Sequence, residues 1–254
     1  MAWDPKIYLA FGGERTRAAA ELLARVDYDA PARVVDLGCG PGNSTAQLAA
    51  RWPQADIEGI DSSPEMLMEA RTSGIEARWT QADINSWAAP SRLDVIFSNA
   101  TLQWLPDHAR LLPRLASYVA ESGAFAFQVP RNFGEPCHTL IHEVAADGPW
   151  APYLERVADR AGALAPEAYF DILEPHFQHI DIWETRYLHT LTGADAVYGW
   201  MLGTGLRPFR NALEDDMREA FLLEYRKRVG AAYPMRRSGL TLYPFQRLFC
   251  VARK

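Results

Sequence analysis

Three glycines at alternate positions, directly behind a short apolar run, constrain this chain more than any other feature. In Val34-Val-Asp-Leu-Gly-Cys-Gly-Pro-Gly-Asn-Ser-Thr45 the apolar run ends at Leu37, and Gly38, Gly40 and Gly42 follow. Glycine turns the backbone sharply and lets it approach a ligand that a Cβ would exclude. A strand, a glycine turn and a helix in that order open a nucleotide-binding α/β unit. Dinucleotide folds space the glycines Gly-x-Gly-x-x-Gly and seat a pyrophosphate on the helix N-terminus. Here the spacing is Gly-x-Gly-x-Gly, and an acid, Asp36, precedes it. A carboxylate beside the loop suits a ligand carrying an amino group or hydroxyls better than a pyrophosphate.

The rest of the first 130 residues alternates short apolar runs with helical stretches, the pattern of a doubly wound α/β sheet. Strands are predicted at 33–37, 56–61, 77–83, 93–99 and 123–129, and helices at 14–26, 43–52, 64–72 and 106–120. The helix at 64–72 has Ser63 as a cap, Pro64 in its first turn and Glu65 near its positive end. After residue 130 the rhythm changes. Helical patterns at 134–147, 153–162 and 166–175 lead to an alternating strand at 179–191, where Ile180, Ile182, Glu184, Arg186, Leu188 and Thr190 share one face. A helical region from about 194 to 230 carries the apolar stripe Leu213, Met217, Phe221 and Tyr225. A strand at 247–253 closes the chain, so 194–243 reads as an insertion before the last strand.

Two further acids stand at strand ends. Asp61 lies 19 residues beyond Gly42 at the end of the second strand, where a carboxylate accepts hydrogen bonds from ribose hydroxyls. Asp83 and Ile84 follow the third strand, where an acid and an apolar side chain could hold an adenine amine and its ring. Aspartates often end strands as turn formers; three in order on three successive strands make a site.

On these residues the chain resembles a class I S-adenosylmethionine-dependent methyltransferase. The loop Asp36-Leu-Gly-Cys-Gly-Pro-Gly42 is similar to that family's cofactor signature, Asp61 to its ribose acid and Asp83 to its adenine-side acid. Asn99 and Ala100 lie where the family's fourth strand faces the methionine part and the substrate. The resemblance implies a Rossmann-like, seven-stranded, mostly parallel sheet with its last strand antiparallel, in a single domain. It implies S-adenosyl-L-methionine as cofactor and S-adenosyl-L-homocysteine as product. The implied cofactor residues are Asp36, Gly38, Cys39, Gly40, Asp61, Ser62, Met66, Asp83, Ile84, Asn99, Ala100 and Arg17, the last through the methionine carboxylate. A surface ion pair of Arg17 with Glu14 or Glu21 is the competing reading. Residues 1–30 are expected to form a lid and helix, and 131–178 and 194–243 helical substrate-side insertions.

Composition narrows the function. Hydrophobic residues make up 48% and charged residues 23%, which argues against a disordered or low-complexity chain. No window approaches 18 consecutive apolar residues, so no membrane span is expected. The N-terminal Met-Ala-Trp-Asp-Pro-Lys has no apolar signal core, which points to a cytoplasmic protein. Cys39, Cys137 and Cys250 lie far apart and form no Cys-x-x-Cys, so neither a disulfide framework nor a structural zinc is expected. The net charge of −6 is uneven: residues 1–200 hold 15 Lys and Arg against 27 Asp and Glu, residues 201–254 hold 11 against 5. An acidic whole disfavours nucleic acid, whereas a basic final quarter accommodates a small anion.

Methyl transfer from a sulfonium is an in-line displacement that needs alignment and exclusion of water. A carboxylate acceptor needs no general base, whereas an alcohol or carbon acid does. The fourth strand continues Ser98-Asn-Ala-Thr-Leu-Gln-Trp104, not the Asn/Asp-Pro-Pro-Tyr of amine-methylating DNA enzymes, and Pro136-Cys137 reads as an ordinary loop cysteine. Residues 3–23, Asn99–His108 and Tyr243–Cys250 together resemble most closely the carboxyl O-methyltransferases of the family that esterify a small anionic tricarboxylate. Ala18, after Arg17, stands where that resemblance leads one to expect proline, a change expected to affect helix entry only. The acceptor would then be clamped by arginines, whose forks match carboxylates. Arg131, at the carboxyl edge of the sheet, and Arg207, Arg210, Arg236, Arg237 and Arg247 in the basic quarter are the candidates. Arg207–Arg210 and Met235–Arg237 are expected in non-helical stretches, Arg226–Arg228 on a solvated helix face. The resemblance adds Trp3, Tyr8 and Trp104 to the substrate side. His138 and His142 read as a polar helix face and His108 as part of a helix start; no metal and no catalytic side chain are expected. Another acceptor, or a non-catalytic cofactor-binding regulator, stays open, as does a monomer or weak homo-oligomer.

Overall fold

The computed structural model describes residues 12–155, 157 and 162–254, so the expected lid residues Trp3 and Tyr8 lie outside the described residues. Helix α1 (Gly12–Ala24) precedes strand β1 (Arg33–Leu37), and helix α2 (Asn43–Arg51) and strand β2 (Asp56–Asp61) follow. Ala18 is fully buried in α1. Helix α3 (Pro64–Thr72) starts as its sequence requires: Ser63 accepts the Met66 amide, and Pro64 occupies the first turn. Strands β3 (Arg78–Gln81) and β4 (Leu93–Asn99), helix α4 (His108–Ala116) and strand β5 (Val119–Pro130) complete the first half. Helices α5 (Pro136–Ala146), α6 (Ala151–Leu154) and α7 (Pro166–Leu173) lead to strand β6 (His179–Thr192). Helices α8 (Ala196–Leu202), α9 (Arg207–Ala212) and α10 (Asp215–Ala232) precede strand β7 (Leu240–Arg253).

The seven strands form one sheet in the order β3-β2-β1-β4-β5-β7-β6. Strands β1 to β5 pair in parallel, with Asp36 opposite Gly59 on one side and Phe97 on the other. Strand β7 runs against both its neighbours. The Arg131 amide bonds Gln246 while the Lys254 amide bonds Gly123, and Gln178 reaches Arg253 while Gly193 reaches Gly239. The doubly wound sheet with an antiparallel last strand is therefore present. Its order reverses between β1 and β4, and open α/β sheets bind ligands at the carboxyl ends of such strands.

Several boundaries differ from expectation. Strand β3 stops at Gln81 because Asp83 turns the chain, its Oδ1 accepting the Asn85 amide at 2.8 Å and its carbonyl the Trp87 amide at 2.8 Å. Helix α4 spans 108–116 rather than 106–120, because Val119 pairs with Leu93 at the start of β5. Between Leu93 and Val95 the register shifts, and β5 advances to Ala124. Gly123 lies in that irregularity, where a Cβ would stand 2.9 Å from the Asp94 carbonyl. Strand β6 does not keep one face throughout: Ile180 and Ile182 are partly buried, but beyond them Tyr187, His189 and Leu191 turn inward and Leu188 is exposed. Three helices replace the continuous helical region expected from 194 to 230. Strand β7 begins at Leu240, seven residues before the expected start.

The chain divides into two compact units. The first comprises residues 1–129, 163–185 and 248–254, and its core packs Val35, Leu37, Ile60, Ile96 and Phe127 with Tyr169, Leu248 and Cys250. The second comprises residues 130–162 and 186–247. Its interior stacks His189 on Trp200 and sets Tyr243 edge-on to Trp200, Tyr233 and Phe245. Among the described residues no helix is long and apolar enough to cross a membrane.

Candidate active site

The loop after β1 is held from two sides. The Gly38 and Cys39 amides both donate to the Ile60 carbonyl, at 2.7 and 3.0 Å. Asp61, one residue further along β2, accepts the Gly40 amide through Oδ2 at 2.9 Å and the Ser63 amide through Oδ1 at 2.8 Å. Each carboxylate oxygen keeps a second lone pair. The three glycines do different work. At Gly38, φ +72°, a Cβ would lie 2.1 Å from Thr101 Cγ2, so a neighbouring turn rather than a ligand excludes a side chain. At Gly40, φ +55°, a Cβ meets nothing within 4 Å, and the backbone conformation alone favours glycine. Gly42, φ +96°, caps α2.

At the end of β4 the chain makes a second tight turn. Ala100 has φ +55°, a left-handed conformation rare for a residue with a Cβ. Its amide donates to the Gln128 carbonyl at 2.9 Å, and its carbonyl accepts from Gln103 Nε2 at 2.7 Å. The Thr101 hydroxyl lies 3.1 Å from the Gly38 carbonyl and 3.3 Å from the Asn99 carbonyl. Asn99 Oδ1 is buried without a hydrogen-bond partner.

A cavity opens between these two turns. Of the residues singled out from sequence, Gly38, Gly40, Asp61, Ser62, Met66, Asp83, Ile84, Asn99, Ala100 and Trp104 line it. Ala82, Thr101 and Leu105 line it too. They were not singled out, although all three are immediate neighbours of residues that were. Asp36, Cys39 and Arg17 are not among its lining residues. Asp36 is wholly buried and accepts the Ser44 and Thr45 hydroxyls through Oδ2, both at 2.7 Å, which ties β1 to the first turn of α2. Cys39 is buried, with Sγ 3.1 Å from where a Cβ on Gly59 would lie. Arg17 Nε is 2.8 Å from Glu21 in an exposed pair.

The remaining candidates lie in the second unit. Arg131 follows β5 and is partly buried, with its amide on the Gln246 carbonyl. Arg207 and Arg210 occupy α9 and not the loop expected there; Pro208 sits in the helix's first turn, where its missing N–H costs nothing. Burial and the neighbouring Arg210 hold the Arg207 guanidinium below its usual pKa. Arg236 and Arg237 are exposed in the turn before β7, which Gly239 closes by donating to the Arg236 carbonyl at 2.9 Å. Arg247 is buried, with its guanidinium 4.3 Å from the centre of the Phe245 ring. Arg226 pairs with Asp195 and Arg228 with Asp147 and Glu224, so these cations serve the second unit's own structure.

Residues 34–123 match the family described as a methyltransferase domain. The chain is 49% identical over 250 residues to a trans-aconitate 2-methyltransferase of Azoarcus sp. (strain BH72), covering 98% of each. Identity to the protein of that name in Methylobacterium radiotolerans is 48% over 255 residues, 99% of this chain and 98% of the relative. The chain belongs to the trans-aconitate 2-methyltransferase family. Among solved structures, the YcgJ protein of Bacillus subtilis superposes with a TM-score of 0.61 over 94% of this chain and 98% of that one, at 11% identity, which speaks for the fold alone.

As a member of the trans-aconitate 2-methyltransferase family, the chain is an S-adenosylmethionine-dependent methyltransferase. Two buried titratable groups of the first unit, Asp36 and His108, do not line the cavity. Burial raises the Asp36 pKa from 3.8 to about 6, against the lowering effect of the Ser44 and Thr45 hydroxyls. His108 is buried with both ring nitrogens engaged, Nε2 at 2.8 Å from the Leu102 carbonyl and Nδ1 at 3.1 Å from the Tyr169 hydroxyl. A carbonyl only accepts, so Nε2 carries a proton directed at Leu102. This histidine is a structural link between α4 and α7.

Proposed function

We propose that the chain transfers the methyl group of S-adenosylmethionine to one carboxylate of trans-aconitate or a close small polycarboxylate, forming a monomethyl ester and S-adenosylhomocysteine. The observation that carries this reading is the near full-length identity, at 49%, to a relative of that name.

The cavity chemistry fits the cofactor. Asp61 offers free lone pairs to ribose hydroxyls, Asp83 and Ile84 offer an acid and an apolar wall to adenine, and Asn99 Oδ1 is a buried acceptor for an ammonium group. Gly38, Gly40, Ser62, Met66 and Ala100 shape the walls, and Asp36 and Cys39 support the loop from beneath. Arg17 at the N-terminal side is the proposed partner of the methionine carboxylate.

When bound, the cofactor supplies a methyl group on a positively charged sulfur. That methyl group would pass to an acceptor carboxylate oxygen with S-adenosylhomocysteine as the leaving group, and no proton would need to move. The chain therefore needs no general base, and its part is alignment and exclusion of water. Arg131, Arg207, Arg210, Arg236 and Arg237 are the proposed cations for the carboxylates that are not methylated, with Trp3, Tyr8 and Trp104 as the proposed aromatic enclosure. We place this activity in the cytoplasm, in a chain acting without nucleic acid or membrane as a monomer or weak homo-oligomer.

The test is methyl transfer from labelled S-adenosylmethionine to trans-aconitate, cis-aconitate, citrate, isocitrate and a dicarboxylate, with products identified by mass. The expected result is a monomethyl ester formed fastest from trans-aconitate. Cofactor binding without methylation of any acid would overturn the acceptor.

A further inference from the structure

Gln103 is buried, 3% exposed, in the short 3-10 turn Leu102–Trp104, and does not line the cavity. Its side-chain amide is only half satisfied. Nε2 donates to the Ala100 carbonyl at 2.7 Å, while Oε1 is buried with no partner. A buried unpaired acceptor carries a desolvation cost that an apolar side chain of the same shape would avoid. Methionine or leucine would avoid that orphan but would leave the Ala100 carbonyl without its donor, so what glutamine adds here is the one bond to Ala100.

That bond is made to the one residue of the β4 turn whose backbone is strained. A left-handed Ala100 is intrinsically several-fold to tens of times less populated than a right-handed one. Three contacts hold it there: its amide on Gln128, its carbonyl on Gln103, and the adjoining Thr101 packed where a Gly38 side chain would be. The amide bond to Gln128 continues the β4–β5 register, in which Asn99 faces Gln128. The Gln103 bond is different: it arrests the carbonyl that a rotation of Ala100 would carry with it. On either side of Ala100 stand Asn99, with its unpaired Oδ1, and Thr101, and all three line the cavity.

We propose that Gln103 is a positioning residue for the cofactor cavity: by holding the Ala100 carbonyl it keeps the Asn99–Thr101 turn left-handed and so presets Asn99 for the methionine end of the cofactor. The proposal rests on the reading of this cavity as the cofactor site. Its effect is preorganisation, since a turn that must be recruited from a minor population weakens binding by that population.

The experiment compares wild type, Gln103→Met, and Gln103→Met combined with Ala100→Gly. Three quantities are measured: hydrogen exchange at the residue 100 amide of the ligand-free chain, S-adenosylhomocysteine affinity by calorimetry, and the thermal midpoint. Gln103→Met removes both the donor and the orphan acceptor. It removes one orphan acceptor and creates another at the Ala100 carbonyl, so it is expected to shift the midpoint little, to speed exchange at residue 100, and to weaken S-adenosylhomocysteine binding by roughly ten-fold. Glycine adopts positive φ about as readily as negative φ, so adding Ala100→Gly should return exchange and affinity to within about three-fold of wild type. A merely structural role for Gln103 predicts no such rescue. Gln103→Leu, which lacks the donor, is expected to reproduce the loss and replaces Gln103→Met if that variant does not fold. Unchanged exchange and affinity in the single variant, or a double variant no better than the single one, would overturn the proposal. Failure of the wild-type chain itself to bind S-adenosylhomocysteine is a separate result: it sinks the cavity reading, whereas the exchange data still show whether Gln103 holds the turn.

Discussion

Thr101 occupies the space that a side chain on Gly38 would need, its Cγ2 lying 2.1 Å from the position of a Cβ there. The loop after β1 and the turn after β4 are thereby interlocked, and these are the strands on either side of the sheet's reversal. Gly38→Ala must both displace Thr101 and place alanine at φ +72°. Overpacking and left-handed strain together are expected to cost about 2–4 kcal/mol. Urea denaturation checks this, and an unchanged midpoint would show that the two turns are not interlocked.

Asp61 joins the Gly40 amide to the Ser63 amide. Asp61→Ala removes two hydrogen bonds to a charged acceptor, each worth about 1.5–3 kcal/mol, together with the proposed ribose contact. S-adenosylhomocysteine affinity measured by calorimetry should fall by at least roughly ten-fold. Wild-type affinity in this variant would remove Asp61 from the site.

Asp36 gives the stability a pH dependence whose sign is fixed by its burial. Its pKa rises from 3.8 to about 6 on folding, so the folded chain holds this proton longer than the unfolded one. Its contribution to stability is complete below pH 4, declines as pH rises from about 4 to about 6, and is level above. The loss is on the order of 3 kcal/mol. Asp36→Asn keeps an oxygen for Ser44 and Thr45 but has no charge to bury. Urea midpoints from pH 4 to pH 8 should show the variant gaining on wild type as pH rises and holding a constant lead above about 6. A parallel pair of curves would contradict this.

Arg207 and Arg210 stand one turn apart on α9, where burial and the Arg210 charge lower the Arg207 pKa. Arg207→Gln is expected to raise KM for the acid by about ten-fold or more, as loss of a charge-assisted pair does. KM for S-adenosylmethionine should stay within about two-fold. Steady-state kinetics with each substrate varied in turn separates the two, and equal shifts in both would argue against the clamp.

The parts of this fold that were legible in the sequence are those where one local requirement dominates. Strands β1 and β4 occupy the expected residues because short, mostly buried runs rich in Val, Ile, Leu and Phe end there at turn formers. Helix α3 keeps both expected ends, since its cap and first-turn proline act locally. Strand β7 begins seven residues before its apolar centre at 247–253 indicates, with Pro244 inside it, so sheet pairing overrides the signal that proline gives against a strand. The α9 helix around Arg207 was missed because glycine and proline beside it read as loop. Asp61 and Asp83 could be placed at the cavity because the topology carries those strand ends to one edge, whereas Asp36, one residue short of its strand's end, is buried against Ser44 and Thr45. The Thr101–Gly38 contact and the Gln103–Ala100 bond could not be read, because each depends on how closely two turns from distant strands approach.

The three cysteines give the chain an internal reporter of its own integrity. Cys39, Cys137 and Cys250 are all free and buried. Burial raises every one of their pKa values, that of Cys137 to about 11. Alkylating reagents attack thiolates, so none of these sulfurs is available while the fold is closed. Cys39 lies in the glycine loop, Cys250 in the core of the first unit and Cys137 at the start of α5 in the second. The time course of modification at each therefore dates the opening of three separate places in one molecule, without any introduced label.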